Sequence, residues 1–158
     1  MKVTSKNAIL ITYPIYHVAE EAKSLAESAG YSIKEIITQR HLTRSKYGVG
    51  RGKAEELREI VRSNEINFII FDEVLKPTQQ YNLALNCKVD IIDREKLILQ
   101  MFTLRSNTEE SKIQVNLAQL HYDVVRIKEK VRLAKKGEQP GFLGLGKYDC
   151  SSSYPISM

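Results

Sequence analysis

Four short apolar runs, each followed by a stretch with helical spacing, constrain this chain more than any other feature. Ala8–Tyr13 (AILITY) is continuous and β-branched, the pattern of a buried strand. From His17 to Ala29, Val18, Ala22, Leu25, Ala26 and Ala29 recur at helical spacing, and Gly30 suits the stop. Ser32–Thr38 supplies a second strand through Ile33, Ile36 and Ile37. Lys53–Asn64 sets Leu57, Ile60 and Val61 on one face, with Glu55, Glu56, Arg58 and Glu59 outside, an amphipathic helix. Asn67–Phe71 (NFIIF) is apolar without alternation, as in a central parallel strand. Pro77 suits the first turn of a helix running to Leu85. Val89–Ile92 is the fourth strand, and Asp93 is placed to cap a helix Glu95–Arg105. Strand then helix, four times over, predicts an α/β domain over 1–106: a small parallel sheet of about four strands flanked by helices.

The next segment obeys a different period. Thr108–Lys136 contains no Gly or Pro, and its apolar seam falls at Ile113, Leu117, Leu120, Val124, Ile127, Val131 and Ala134. Steps alternating four and three make a heptad rather than a broad 3.6-residue stripe. One long helix over 107–136, the first half of a helical hairpin, is expected. A seam that narrow wants a partner helix, from elsewhere in a longer protein or from a second copy of this chain. Residues 137–158, a glycine-rich link and then CSSSYPISM, carry no helical pattern and read as an unstructured tail.

Charge narrows the choice of partner. The net charge is +5 and it is unevenly spread. Gln39–Ala54 holds no acid but has Arg40, Arg44, Lys46, Arg51 and Lys53; Arg126–Lys136 holds six cations against Glu129 alone. Two basic clusters point to a polyanion, although solvated basic faces are common. No apolar run reaches membrane-spanning length. The two cysteines, Cys87 and Cys150, are far apart with no metal-ligand spacing, so neither a disulfide framework nor a metal site is expected, and a reducing cytoplasm is.

The stretch SKYGVGRGKAEEL, Ser45–Leu57, asks whether this is a nucleotide enzyme. A phosphate loop of the GxxxxGK[ST] type fails twice, because Tyr47 stands five before Gly52 and Ala54 replaces the hydroxyl. GVGRG also misses GxGxxG by one residue. A glycine loop opening a helix can still hold an anion on its free N–H groups. Gly48, Gly50, Gly52 and Lys53 therefore stay open as RNA-phosphate contact, nucleotide contact or plain turn. Asp72 and Glu73, ending NFIIFDE, resemble a magnesium-binding strand end, a loose pattern that turn residues share. His17, His41 and His121 are scattered and read as structural or surface residues. Tyr47, Tyr122 and Tyr148 lie in or beside basic segments and have the chemistry to stack on bases, though core packing is the commoner fate of tyrosine.

Taken together, YGVGRGKAEEL, IIFDEVLKPTQQYNL and IIDREKLILQMFTLRSNTEESKIQVNLAQLHY resemble, in order and at matching spacing, the N-terminal domain of the HflX family of GTP-binding proteins. The resemblance covers roughly residues 8–149. It implies an α/β subdomain followed by two long antiparallel helices, association with the large ribosomal subunit, and a GTPase domain further along. The second helix and any GxxxxGK[ST] are missing from this sequence, so GTP hydrolysis is not carried over. No catalytic residue, metal or cofactor is expected in this chain, GTP and magnesium belonging to the full-length family. The expected function is a ribosomal-RNA-binding module. Arg40, Arg44, Lys46, Arg51, Gly52, Lys53, Arg126, Lys128, Lys130 and Arg132 would contact phosphate. The alternative is an adenine-nucleotide site built from Gly48–Lys53 and Asp72. A homodimer through the long-helix seam is the other candidate partner.

Overall fold

The computed structural model describes residues 5–136. The elements run β1 (Asn7–Thr12), α1 (Tyr16–Ser28), β2 (Ser32–Thr38), α2 (Arg51–Ser63), β3 (Phe68–Phe71), α3 (Pro77–Cys87), β4 (Asp90–Asp93), α4 (Arg94–Arg105) and α5 (Glu109–Lys135). The four strands form one parallel sheet in the order β2-β1-β3-β4. This is the expected α/β class with a long helix at its end. The chain divides into two compact units, Met1–Gln119 and Leu120–Met158. The first holds the sheet, α1–α4 and the opening turns of α5; the second takes up the rest of α5.

β1 lies at the centre because it has no polar face to show water. Ala8, Leu10, Ile9 and Ile11 are all fully buried, and strand geometry sends them alternately to opposite sides. Ala8 and Leu10 join Ile70 and Ile92 in a core closed by Ala22 and Ala26 of α1 and Leu97 and Met101 of α4. Ile9 and Ile11 join Ile69 and Phe71 in a core closed by Ala54 and Leu57 of α2 and Leu83 and Cys87 of α3. Two helices thus cover each face of the sheet.

Several expected boundaries move by a residue or two for local reasons. Gly30 takes the left-handed backbone (φ +91°) that stops α1, its N–H donating to Glu27 O at 2.9 Å. Helix α2 starts at Arg51, earlier than Lys53, because Gly50 is its extended N-cap. Helix α3 continues to Cys87 and ends where Lys88 turns left-handed (φ 57°). Asp93 caps α4 as expected, accepting from Lys96 N at 3.0 Å, and a second bond from Leu75 N at 3.1 Å explains its burial.

Candidate functional site

The basic glycine segment is the link between β2 and α2, and it is built as a fixed turn. Leu42 and Val49, near its two ends, are both buried in the core. Between them Thr43 N donates to Gly48 O at 2.8 Å, Gly48 N to Ser45 O at 3.2 Å, and Ser45 Oγ to Val49 O. Gly48 sits at φ +76°, and a Cβ there would meet Leu75 Cδ2 at 2.7 Å and Phe71 Cζ at 2.9 Å. Its lack of a side chain is required by packing as well as by backbone angle.

Helix α3 clamps this turn. The buried Gln79 amide donates to Thr43 O (2.7 Å) and Ser45 O (2.8 Å), while its Oε1 accepts from Lys76 N at 3.1 Å. Asn82 Nδ2 donates to Lys46 O at 3.3 Å, and Asn86 Nδ2 to Ala54 O at 2.9 Å. Residues 79, 82 and 86 share one helix face, so a single polar stripe fixes both the turn and the start of α2.

The cations of this segment differ in their engagement. Arg40, Arg44 and Lys46 are exposed and form no ion pair among the described residues. The Lys46 ammonium lies 5.7 Å from the centre of the half-buried Tyr47 ring. Arg51 pairs with Glu55 at 3.5 Å and Lys53 with Glu56 at 2.7 Å. Helix α2 has no side-chain cap and no acid in its first turn, so the positive end of its dipole is not offset there, and Glu55 and Glu56 engage Arg51 and Lys53 just beyond it. Beside it lies a cavity of about 570 Å³ lined by Ser45, Lys46, Tyr47, Arg51, Arg58 and Asn86, among others. The Arg58 Nε atom is buried without a hydrogen-bond partner.

Asp72 lies where the strand order reverses, at the carboxyl ends of β1 and β3, the usual ligand crevice of such sheets. Both its oxygens are occupied: Thr12 Oγ1 donates to Oδ2 at 2.7 Å and Arg94 Nη1 to Oδ1 at 2.6 Å. Arg94 also reaches Glu21 at 3.3 Å, and the Tyr13 hydroxyl donates to Glu73 at 2.7 Å. Burial pushes the Asp72 carboxyl up, with the Thr12 and Arg94 hydrogen bonds and charge opposing it. This network ties β1, β3, α1 and α4 together and leaves no carboxylate oxygen of Asp72 unengaged. Gly48 is likewise spent on packing, so the arrangement does not favour the adenine-nucleotide alternative. Among the described residues no group of His, Cys, Asp and Glu has metal-ligating geometry.

The second basic cluster lies on α5. The Arg126 guanidinium stacks 3.4 Å from the centre of the Tyr122 ring, and Arg132 holds Glu129 through bonds of 2.6 and 2.9 Å. That bond lowers the Glu129 carboxyl below its ordinary range. Lys128 is exposed and Lys130 half-buried. Tyr148 lies outside the described residues. His17, His41 and His121 are all exposed and share no site. No described helix is long and apolar enough to cross a membrane. Residue-level reading missed the roles of Gln79, Asn82, Asn86 and Thr12; only the 79/82/86 spacing on α3 carried a signal.

The family model described as GTP-binding GTPase N-terminal matches residues 17–103. The chain is similar to the GTPase HflX of Methanocaldococcus jannaschii, 42% identical over 135 residues, covering 85% of this chain and 33% of that protein. It is also similar to the GTPase HflX of Escherichia coli, 41% identical over 109 residues, covering 68% of this chain and 26% of the relative. Among solved structures, SsGBP in complex with GDP matches with a TM-score of 0.69 at 29% identity, over 84% of this chain and 39% of the other. A GTP-binding protein from Sulfolobus solfataricus in complex with GDP matches with a TM-score of 0.66 at 27% identity, over 84% of this chain and 42% of the other. The chain spans about a third of the length of the first of these relatives.

Proposed function

This chain belongs to the GTP-binding GTPase N-terminal family, as the N-terminal part of an HflX-type protein, and from that premise we propose that it is a ribosomal-RNA-binding module. The turn and start of α2 contact phosphates of the large ribosomal subunit through Arg40, Arg44, Lys46, Arg51, Gly52 and Lys53. Arg126, Lys128, Lys130 and Arg132 of α5 form a second contact. The proposal includes a division of labour at about residue 106: the sheet-bearing part presents the turn and the helical arm the second cluster, with 137–158 as link and tail. GTP hydrolysis belongs to the remainder of HflX-type proteins, and this segment contributes binding in the cytoplasm rather than catalysis. Self-association through α5 accompanies it.

The observation that carries the RNA reading is the clamped, acid-free turn: Arg40, Arg44 and Lys46 are exposed and unpaired among the described residues on a backbone fixed by Gln79 and Asn82. A long basic surface without a sequence-reading device suits phosphate contact, which is strongly salt-dependent. The test is co-sedimentation with large ribosomal subunits across a salt series. Each phosphate contact contributes about 0.7–0.9 to the slope of log affinity on log salt, so Arg40→Ala/Arg44→Ala/Lys46→Ala is expected to flatten it by about 2–3. A triple variant with wild-type affinity and slope sinks the assignment of this turn.

A further inference from the structure

Parallel strands all point one way, so the loops that leave their carboxyl ends (residues 13–15, 39–50 and 72–76) emerge on one rim of the sheet. Hydrogen bonds tie this rim together. The Tyr13 hydroxyl donates to Glu73 at 2.7 Å, and Gln39 N to Thr12 O at 3.0 Å. Ile15 N returns to Tyr13 O at 2.8 Å, which fixes the backbone that carries Tyr16 into α1. On this rim Tyr16 is 82% exposed, with Ile15 at 47% and Val74 at 53%. Single apolar residues scattered over a surface are ordinary, but here three stand in water on two bonded loops. The other described tyrosines are covered. Tyr31 and Tyr81 are buried, Tyr122 is buried beneath Arg126, and Tyr13 and Tyr47 are half-buried, Tyr47 with Lys46 over its ring. Among the described residues neither a ring nor a cation lies against Tyr16.

We propose that Tyr16 is a stacking platform for one unpaired base of the RNA whose phosphates the basic turn contacts. The inference rests on the ribosomal-RNA reading above and adds to it a preference for single-stranded over duplex RNA. An aromatic face held in water by a fixed backbone gains by covering itself with a base, and every base has such a face, so no sequence preference is needed. Bases inside a duplex are already stacked on their neighbours. Only a loop, a bulge or an end offers a free one.

Charge on the same rim selects RNA over an apolar partner. Arg40, Arg44 and Lys46 are exposed on the 39–50 loop, and the Arg44 charge reaches the Tyr13 hydroxyl, where it opposes the rise in that group's pKa. The rim's carboxylates are largely engaged: Asp72 by Thr12 and Arg94, Glu73 by Tyr13, and Glu21 by Arg94. Glu20, one turn along α1 from Tyr16, keeps an exposed carboxylate. It turns the phosphates of a bound strand away from α1 and toward the 39–50 loop. Tyr16 is distant from both basic clusters in sequence and joins one of them only through the fold.

The chain has no tryptophan, so Tyr16→Trp places a lone indole on the platform. A single-stranded oligouridylate of about 12 nucleotides, long enough for one binding site, is expected to quench its emission through the stacked base. Heparin, a polyanion without bases, and duplex RNA are expected to leave it unchanged. Anisotropy of the end-labelled oligonucleotide follows occupancy. Unchanged emission at saturation, or equal quenching by heparin, overturns the platform. In co-sedimentation with large ribosomal subunits, Tyr16→Ala is expected to weaken binding about 5–150-fold with the wild-type salt slope, and Tyr16→Phe to hold wild-type affinity. The exposed side chain lets both variants keep wild-type circular dichroism. Tyr16→Ala at wild-type affinity, with the slope of Arg40→Ala/Arg44→Ala/Lys46→Ala still flattened, overturns the platform and leaves the phosphate reading standing. That result assigns the apolar rim to a protein contact instead. Wild type that binds neither the oligonucleotide nor large subunits at any salt concentration sinks both readings.

Discussion

Alanine substitution of the glycines in the turn separates packing from backbone strain. Gly48→Ala forces a side chain onto a backbone at φ +76° and drives its Cβ to 2.7 Å from Leu75 Cδ2 and 2.9 Å from Phe71 Cζ. Both neighbours are buried, Phe71 fully and Leu75 at 1% exposure, so neither has open space to move into. The left-handed backbone costs about 1–2 kcal/mol for a residue with a Cβ. Overpacking against a closed core adds about 1–3 kcal/mol, for a total of about 2–5 kcal/mol. Gly30→Ala is the reference: its φ is +91°, but a Cβ there meets nothing within 4 Å, so only the backbone cost applies. Gly52→Ala lies in the first turn of α2, also with nothing within 4 Å, and is expected to be neutral or stabilising by about 0.5–1 kcal/mol. Urea unfolding followed by circular dichroism gives the three free energies against wild type. Gly48→Ala no more destabilising than Gly30→Ala would refute the claim that this glycine is required by contact with Phe71 and Leu75. The same variants bear on function: a turn that only presents side chains tolerates Gly52→Ala in ribosome co-sedimentation, whereas a backbone cradle for phosphate does not.

Gln79→Ala removes both bonds to the turn carbonyls of Thr43 and Ser45 and is expected to cost about 1–3 kcal/mol, read by urea unfolding. Faster amide exchange at Gly48 should accompany it, because that N–H closes the same turn; unchanged exchange would remove the clamp role. Tyr13, donating to Glu73, has its pKa raised from 10.0 to about 12, first by burial and then by the Glu73 bond and charge. An acid whose folded pKa is raised holds its proton longer when folded, so this contribution to stability is complete below pH 10 and is lost as pH rises toward 12. Burial raises Tyr31 as well, so near-ultraviolet absorbance should show one fewer late-titrating tyrosine in Tyr13→Phe than in wild type, and an unchanged alkaline titration would contradict the assignment. For Glu129, held below its ordinary range by Arg132, the sign reverses: its contribution is present above pH 4.5 and fades as pH falls through the lowered value. Glu129→Gln should therefore flatten the acid limb of the stability profile, and an unaltered limb would count against the pair.

Much of this molecule is legible without coordinates. Ala8–Ile11 has no polar residue and reads as a buried strand, and the structure buries it on both faces. Asp93, just ahead of the helical stretch Glu95–Arg105, was readable as its cap, and the bond from Lys96 N bears this out. The 4-3 seam of α5 was readable because helical period is a property of the chain alone, and the acid-free segment 39–54 because charge is too. These features depend on neighbours a few residues away, which one sequence displays in full.

What tertiary structure decided is which long-range partners meet. Asp72 in sequence fits a turn residue and, loosely, a magnesium-binding strand end alike; the fold brings Thr12 and Arg94, 60 and 22 residues away, onto its two oxygens. Gly48 reads as a phosphate-loop glycine, yet Phe71 and Leu75 close the space above it. Gln79 looks like any helix-surface amide until the turn from β2 to α2 is laid against α3. Hydrogen bonds and close packing reach only a few ångströms, so their assignment waits on the crossing of the chain. The sequence by itself settled the kinds of element, the seam and the sign of the charge; the sheet order β2-β1-β3-β4, through the contacts it enforces, settled which polar residues serve the fold and which cations form no ion pair among the described residues.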